Sequence, residues 1–490
     1  MKKIWISLLL LITGSFVWQG CEDMDDTAVP VNDFIWKGLN LYYLWQQEVP
    51  NLADDRFANQ GELNSFLESY PNPEALFHSL LYQPGTVDRW SVLFSDFTVL
   101  ENLLQGVSTS NGADLGLVYV TPPADPDNPA PDLPIFGYVR YVMPNTDAAD
   151  KGVQRGDIFY AVNGTTLTNS NYSSLLGQET YTLNLADYNS GAITPNGQEV
   201  TLTKSQYAED PVYRTNVVTR GSHTIGYLMY NGFYSNYDNQ LNAAFGELAS
   251  QNVNELVLDL RYNSGGSVRT ATYLGSMITG QFNGQLFAKQ QWNSKLQAYY
   301  ESENPQSLIN RFTDKLSNNQ PINSLNLNRV YILTTSSTAS ASELVINCLK
   351  PYIDVVVIGG TTTGKNVGSV TLYDSPDFSR RNVNGSHKYA MQPIVLKTVN
   401  NDGYGDYFEG IPPTMEMHED LDNMGVLGEP TEPFFAAAIA DITGSGRPGR
   451  FSRPDIFTQF KDTKSMRRMG DEMYIEEMPE GSLLLLKDLQ

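Results

Sequence analysis

Cysteine and histidine are scarce in this sequence, with two of the first and four of the second among 490 residues. So few thiols exclude a disulfide-stapled scaffold. With no His-Glu-x-x-His segment, there is also no local signature of a zinc centre, and nothing in the chain asks for a cofactor. No Gly-x-Ser-x-Gly elbow occurs. Positive charge is thin: 32 Lys and Arg against 55 Asp and Glu give a formal net charge of −23 at pH 7. That balance argues against a nucleic-acid partner, because binding phosphates requires clustered cations. The apolar stretch from Ile4 to Trp18 falls short of a comfortable membrane span.

What the sequence does contain starts with an address. Met1-Lys2-Lys3 followed by that apolar stretch has the charged and hydrophobic regions of an export signal over residues 1–20. The stretch ends at Gln19-Gly20-Cys21, so Cys21 resembles the lipidated cysteine of a bacterial lipoprotein, with simple secretion as the alternative. Residues 21–30 then form an acidic tether. The expected location is the cell envelope, lipid-anchored to a membrane and either periplasmic or surface-exposed. With Cys21 lipidated, Cys348 is the remaining thiol, and it sits on the apolar face of a helix, where burial is its expected role.

Three segments carry the chemistry. Val330-Tyr331-Ile332-Leu333 reads as a strand, Ala341 to Lys350 as a helix stopped by Pro351, and Asp354-Val355-Val356-Val357-Ile358 as a buried parallel strand ended by Gly359-Gly360. In such a βαβ unit the helix N-terminus and the loop leaving the second strand share one edge of the sheet. Ser340 opens the helix and Lys365 follows the second strand, so both face one crevice. Glu255-Leu256-Val257-Leu258-Asp259-Leu260 is a further strand that runs into Arg261-Tyr262-Asn263-Ser264-Gly265-Gly266. A Gly-Gly turn there lets backbone amides approach a ligand, and with the Ala341 amide at the helix end it makes Gly265, Gly266 and Ala341 the candidate donors of an oxyanion hole. A serine needs an adjacent base to act as nucleophile, and a lysine serves only when neutral, which burial favours. No carboxylate flanks Lys365 closely in sequence to hold it charged. Ser340-x-x-Glu343 ahead of an apolar helix reads equally as a capping box, in which the hydroxyl merely satisfies a helix amide.

Asp259 to Gly266, Thr338-Ala339-Ser340-Ala341-Ser342-Glu343 and Gly359-Gly360-Thr361-Thr362-Thr363-Gly364-Lys365, in this order, resemble the signature of the C-terminal processing peptidases, or tail-specific proteases. The resemblance implies that Ser340 attacks the peptide carbonyl and Lys365 takes its proton. Two positions depart from the family pattern. Ser369 stands where a lysine-orienting glutamine is common, which makes it the candidate orienting residue, and Lys350-Pro351 stands where an aspartate is common.

The chain is too long for one core, and the expected fold is multidomain, α+β and α/β. An aromatic-rich helical N-terminal domain is expected over residues 31–104. Residues 107–204 resemble a PDZ domain, through Leu115-Gly116-Leu117 and the block from Thr146 to Gly164. That resemblance implies capture of an extended peptide along an exposed strand edge, with Leu115, Gly116 and Leu117 at the peptide site. A protease core of the ClpP/crotonase-like type is expected over 211–443, followed by a C-terminal tail over 444–490 that is either docked or a mimic of a substrate. The expected activity is serine endopeptidase cleavage of envelope polypeptides recognised by exposed C-terminal tails. The alternative is a peptide-binding lipoprotein scaffold that does not cut. A regulatory partner is left open.

Overall fold

The computed structural model describes residues 30–125, 128–445 and 458–479. The expected export signal, Cys21 and residues 480–490 lie outside the described residues, as does the expected tether up to residue 29. No helix among the described residues is long and apolar enough to cross a membrane.

Three helices open the described chain: α1 (Pro30–Tyr42), α2 (Gln60–Glu68) and α3 (Pro73–Ser79). Asn59 and Asn72 start the second and third by accepting the amides of Glu62 and Ala75, the usual asparagine cap. Their apolar side chains form no core of their own. Phe34, Ile35 and Leu39 belong to the same buried cluster as Leu228, Leu258 and Ile332 of the large domain. Asn293 of that domain donates to the carbonyls of Leu41 and Tyr43 at 2.8 and 3.1 Å. The N-terminal region is therefore packed closely against the large domain.

Strands β1 (Ala113–Tyr119), β2 (Ile135–Val142), β3 (Ile158–Val162), β4 (Thr180–Asn189) and β5 (Ala192–Thr203) follow one another as antiparallel neighbours in a twisted sheet. They enclose a separate core of Leu115, Leu117, Val139, Phe159 and Leu183.

The large domain holds two sheets. In the first, β6 (Val212–Arg220) pairs antiparallel with β7 (His223–Tyr230), which continues in parallel through β8 (Glu255–Asp259), β11 (Arg329–Thr334) and β12 (Asp354–Gly359). These strands are continuous apolar runs because both faces are covered. Alternate residues feed two cores: Leu228, Leu256, Leu258 and Ile332 point one way, and Tyr227, Met229, Val257 and Leu333 the other. The first face carries helices α4 (Val268–Thr279) and α5 (Ala341–Leu349), and α6 (Pro433–Ile442) covers the second. Every residue of α5 is buried, its polar Ser342, Glu343 and Asn347 being hydrogen-bonded, and Cys348 lies there as a buried free thiol whose ionisation burial opposes.

The second sheet contains β9 (Gly265–Ser267), β10 (Leu286–Trp292), β13 (Val367–Val370) and β14 (Ile394–Val399). Two further strands come from the region expected to be a tail: β15 (Gln459–Asp462) joins the edge of the β1–β5 sheet beside β1, and β16 (Glu472–Ile475) runs between β9 and β13.

Candidate active site

Ser340 caps α5 at φ 63° and ψ −115°. This backbone region is disfavoured for any residue with a Cβ, and such strain persists only where the surroundings over-determine it. The determinants are visible. Asn263, at the end of β8, accepts the Ala339 amide and the Ser342 hydroxyl on its backbone carbonyl at 3.1 and 3.0 Å, while its side chain donates to the Tyr230 carbonyl at 2.8 Å. Thr338 donates its hydroxyl to the Leu260 carbonyl at 2.9 Å. The turn before α5 is thus stitched to the ends of β7 and β8. Ser340 is fully buried. Its Oγ sits toward the Glu343 amide in the manner of a capping box without meeting hydrogen-bond geometry, and it has no partner.

Glu343 does more than the capping signature implies. Its Oε2 accepts the backbone amides of both Ser340 and Lys365, at 2.7 and 2.9 Å. Its Oε1 accepts the Gly364 amide at 2.7 Å and the Thr362 hydroxyl. One buried carboxylate therefore fastens the serine turn to the lysine loop. Burial pushes its pKa up, opposed by these four donors. A local reading of Ser340-x-x-Glu343 identifies the first bond and misses the other three.

Lys365 is 1% exposed. Burial lowers its pKa below the ordinary 10.5 of lysine, opposed by the carboxyls of Glu472, Asp471, Asp88 and Glu343. Its Nζ donates to the Asp471 backbone carbonyl and lies 5.4 Å from the Trp90 ring centre. Arg89 closes the same wall, donating to the Gly364 carbonyl at 3.4 Å. The fold brings the Ser340 and Lys365 loops together, but no hydrogen bond joins the hydroxyl to the amine.

Gly265 and Gly266 have φ of 112° and 139°. A Cβ on Gly265 would stand 2.6 Å from Ser340 Cβ and 3.0 Å from the Ala341 amide nitrogen, and one on Gly266 would stand 2.3 Å from the Phe233 carbonyl oxygen. Only glycine fits at either position. Gly265 and the Ala341 amide thus lie beside the serine, while the Gly265 amide itself donates to Asn263 Oδ1 at 2.9 Å and Gly266 packs against Phe233.

Ser369 makes no hydrogen bond to Lys365. Its hydroxyl accepts from Gln392 Nε2 at 3.0 Å and donates to the Met473 carbonyl at 3.2 Å. The orienting contacts of the lysine are the Asp471 carbonyl and the Trp90 ring, neither of which sequence spacing could place. Leu115, Gly116 and Leu117 lie on β1, and their strand edge is taken by β15.

Comparison with known proteins decides the family. The peptidase family S41 model matches residues 224–415, and the peptidase S41 N-terminal domain model matches residues 30–92. This chain belongs to peptidase family S41. Among curated S41 relatives, the chloroplastic carboxyl-terminal-processing peptidase 2 of Arabidopsis thaliana is 26% identical over 280 residues, covering 55% of this chain and 48% of that protein. The carboxyl-terminal-processing protease of Picosynechococcus sp. is 23% identical over 239 residues, covering 48% and 52%. The chain spans about half the length of these curated relatives. A solved S41 protease structure from Bacteroides fragilis superposes with a TM-score of 0.63 at 27% identity, covering 84% of this chain and 97% of that one. The S41 match starts within β7 and contains β8, the Gly-Gly segment, the Ser340 turn and the Lys365 loop, so the family assignment and the crevice coincide.

Proposed function

We propose that this S41 family member is a serine endopeptidase of the cell envelope, with Ser340 as nucleophile, Lys365 as base, and recognition of extended C-terminal tails along the β1 edge. The observation that carries the reading is a buried serine hydroxyl with no partner, at a helix N-terminus that one carboxylate ties to the loop of a buried lysine whose ammonium form is disfavoured.

The chemistry follows from these groups. Ser340 Oγ adds to a peptide carbonyl carbon as Lys365 accepts the hydroxyl proton. The carbonyl oxygen gains the charge and is held by amides of the Gly265-Gly266 segment and Ala341. Collapse breaks the C–N bond, the lysine returns the proton to the departing amine, and water hydrolyses the acyl-serine by the same route in reverse. For the first step the amine must exchange the Asp471 carbonyl for the serine hydroxyl. Trp90 and Arg89 keep the amine dry meanwhile.

The test is turnover of a quenched fluorescent unfolded polypeptide by Ser340→Ala and Lys365→Ala, with circular dichroism to verify folding. Loss of turnover in both is expected. Retained turnover in either removes the mechanism, and binding without turnover by the wild-type chain selects the scaffold alternative. Anchoring through Cys21 is part of the same proposal, and Cys21→Ser is expected to release the chain from membranes.

A further inference from the structure

Residues 458–479 lie along the path that a substrate takes in the proposed function, and the inference drawn here rests on that reading. β15 pairs antiparallel with β1, with Gln459 opposite Val118, Lys461 opposite Leu117 and Asp462 opposite Gly116. The pairing continues where the Thr463 amide donates to the Leu115 carbonyl at 2.9 Å and its hydroxyl accepts the Leu115 amide at 2.6 Å. This is strand addition at the edge where a peptide is expected. Lys464 then buries its amine on the carbonyls of Asn231 and Tyr262.

The chain goes on into the crevice. β16 lies parallel to both neighbours, with Glu472 opposite Gly265 and Tyr474 opposite Ser369. The Glu472 amide donates to the Ser264 carbonyl at 2.9 Å. In a parallel bridge of this kind the Glu472 carbonyl turns to the Gly266 amide. The Cβ position of Gly265 that falls 2.6 Å from Ser340 Cβ and 3.0 Å from the Ala341 nitrogen is only 2.0 Å from that same Glu472 oxygen. A peptide carbonyl of this chain's own segment therefore lies against Gly265, beside the Ser340 turn. The Asp471 carbonyl holds the lysine. A cavity of about 30 Å³ lined by Tyr234, Ser264, Gly265, Gly266 and Glu472 has room for a water or two.

We propose that residues 458–479 are an intramolecular ligand that fills both the recognition edge and the catalytic crevice in a substrate-like path, so that an unfolded polypeptide tail must displace them before it is cut. Two features set this segment apart from an ordinary core strand. It buries the carboxyls of Asp471 and Glu472 beside the lysine, and burial raises them to about 6 and about 8. It also shares one junction with both halves of the machinery: Arg140 of β2 donates to Asp462 at 3.1 Å and to Ser337, three residues before the nucleophile, at 2.9 Å. Leaving the recognition edge therefore frees a partner of the nucleophile turn.

The test compares three proteins on a quenched fluorescent unfolded polypeptide: the full chain, a chain ending at Ser445, and full-length Glu472→Lys, which sets a second cation against Lys365. Both altered proteins are expected to gain about tenfold or more in kcat/KM, because the competent fraction is no longer limited by the docked segment. A synthetic peptide of residues 458–479 is then expected to inhibit the shortened chain competitively. Equal kcat/KM in all three folded proteins overturns the inference and leaves the serine–lysine reading intact. Absence of turnover in all three counts against that reading, and the inference is then decided by binding. A fluorescein-labelled 458–479 peptide should bind the shortened Ser340→Ala chain and be displaced by the unfolded polypeptide, and failure of either step overturns it. If the shortened chain does not fold, hydrogen exchange on full-length Ser340→Ala decides. Amides of 459–462 and 472–475 should lose protection when the polypeptide is added, and unchanged protection overturns the proposal.

Discussion

Replacing Glu343 with glutamine is the sharpest probe of how the Ser340 and Lys365 loops are held. The carboxylate accepts three backbone amides and one hydroxyl in a dry site. Glutamine keeps one accepting oxygen and turns an NH2 group toward two of those four donors. A buried donor without an acceptor costs roughly 1–3 kcal/mol, so the raw loss is about 2–6 kcal/mol. Burying a neutral group instead of a carboxylate offsets part of this, which leaves an expected destabilisation of about 2–4 kcal/mol. Native-state hydrogen exchange reads it locally: the amides of Ser340, Gly364 and Lys365 should lose protection together, with kcat falling in parallel. A variant with unchanged protection at these three amides and wild-type kcat refutes the idea that one carboxylate fastens both loops.

Ser340→Ala is expected to leave urea stability within about 0.5 kcal/mol of wild type or raise it, because the hydroxyl it removes has no partner; a helix cap in that place predicts a loss of about 1 kcal/mol instead. Gly266→Ala is expected to abolish turnover and lower the thermal midpoint, since its Cβ meets the Phe233 carbonyl at 2.3 Å and its φ is 139°; an active, stable variant would show that the segment is not constrained as described. Docking of the C-terminal strand is expected to weaken with rising pH. The Glu472 carboxyl binds its proton more tightly when docked, at about 8 against an ordinary 4.5, so this contribution is complete below the ordinary carboxylate range and is lost as pH climbs through about 8. Exchange protection over 472–475 that stays flat from pH 5 to about 9 would contradict this.

The βαβ unit was legible almost to the residue. Strand 330–333, helix 341–350 and strand 354–358, expected from apolar runs and a proline stop, appear as Arg329–Thr334, Ala341–Leu349 and Asp354–Gly359. Local periodicity suffices there because each run is short, apolar and bounded by clear breakers. Glu343 was visible only as a cap, since three of its four bonds go to residues that β12 delivers from further along the chain. The strand Glu472–Ile475 was invisible because two of its four side chains, Glu472 and Tyr474, carry polar groups, and its neighbours, β9 and β13, are about a hundred or more residues away in sequence. The N-terminal helices read correctly as helices. Their spacing says which face is apolar, not that the face is shared with the large domain.

Trp90 and Arg89, which wall in the lysine, belong to the region before the β1–β5 sheet, and the S41 N-terminal domain match ends two residues after Trp90. The two matched units are therefore obliged to be inherited as a pair. A chimaera that grafted another leader ahead of residue 105 would expose the amine to bulk water, remove the burial that disfavours its ammonium form and silence the graft, however faithfully the remainder folded.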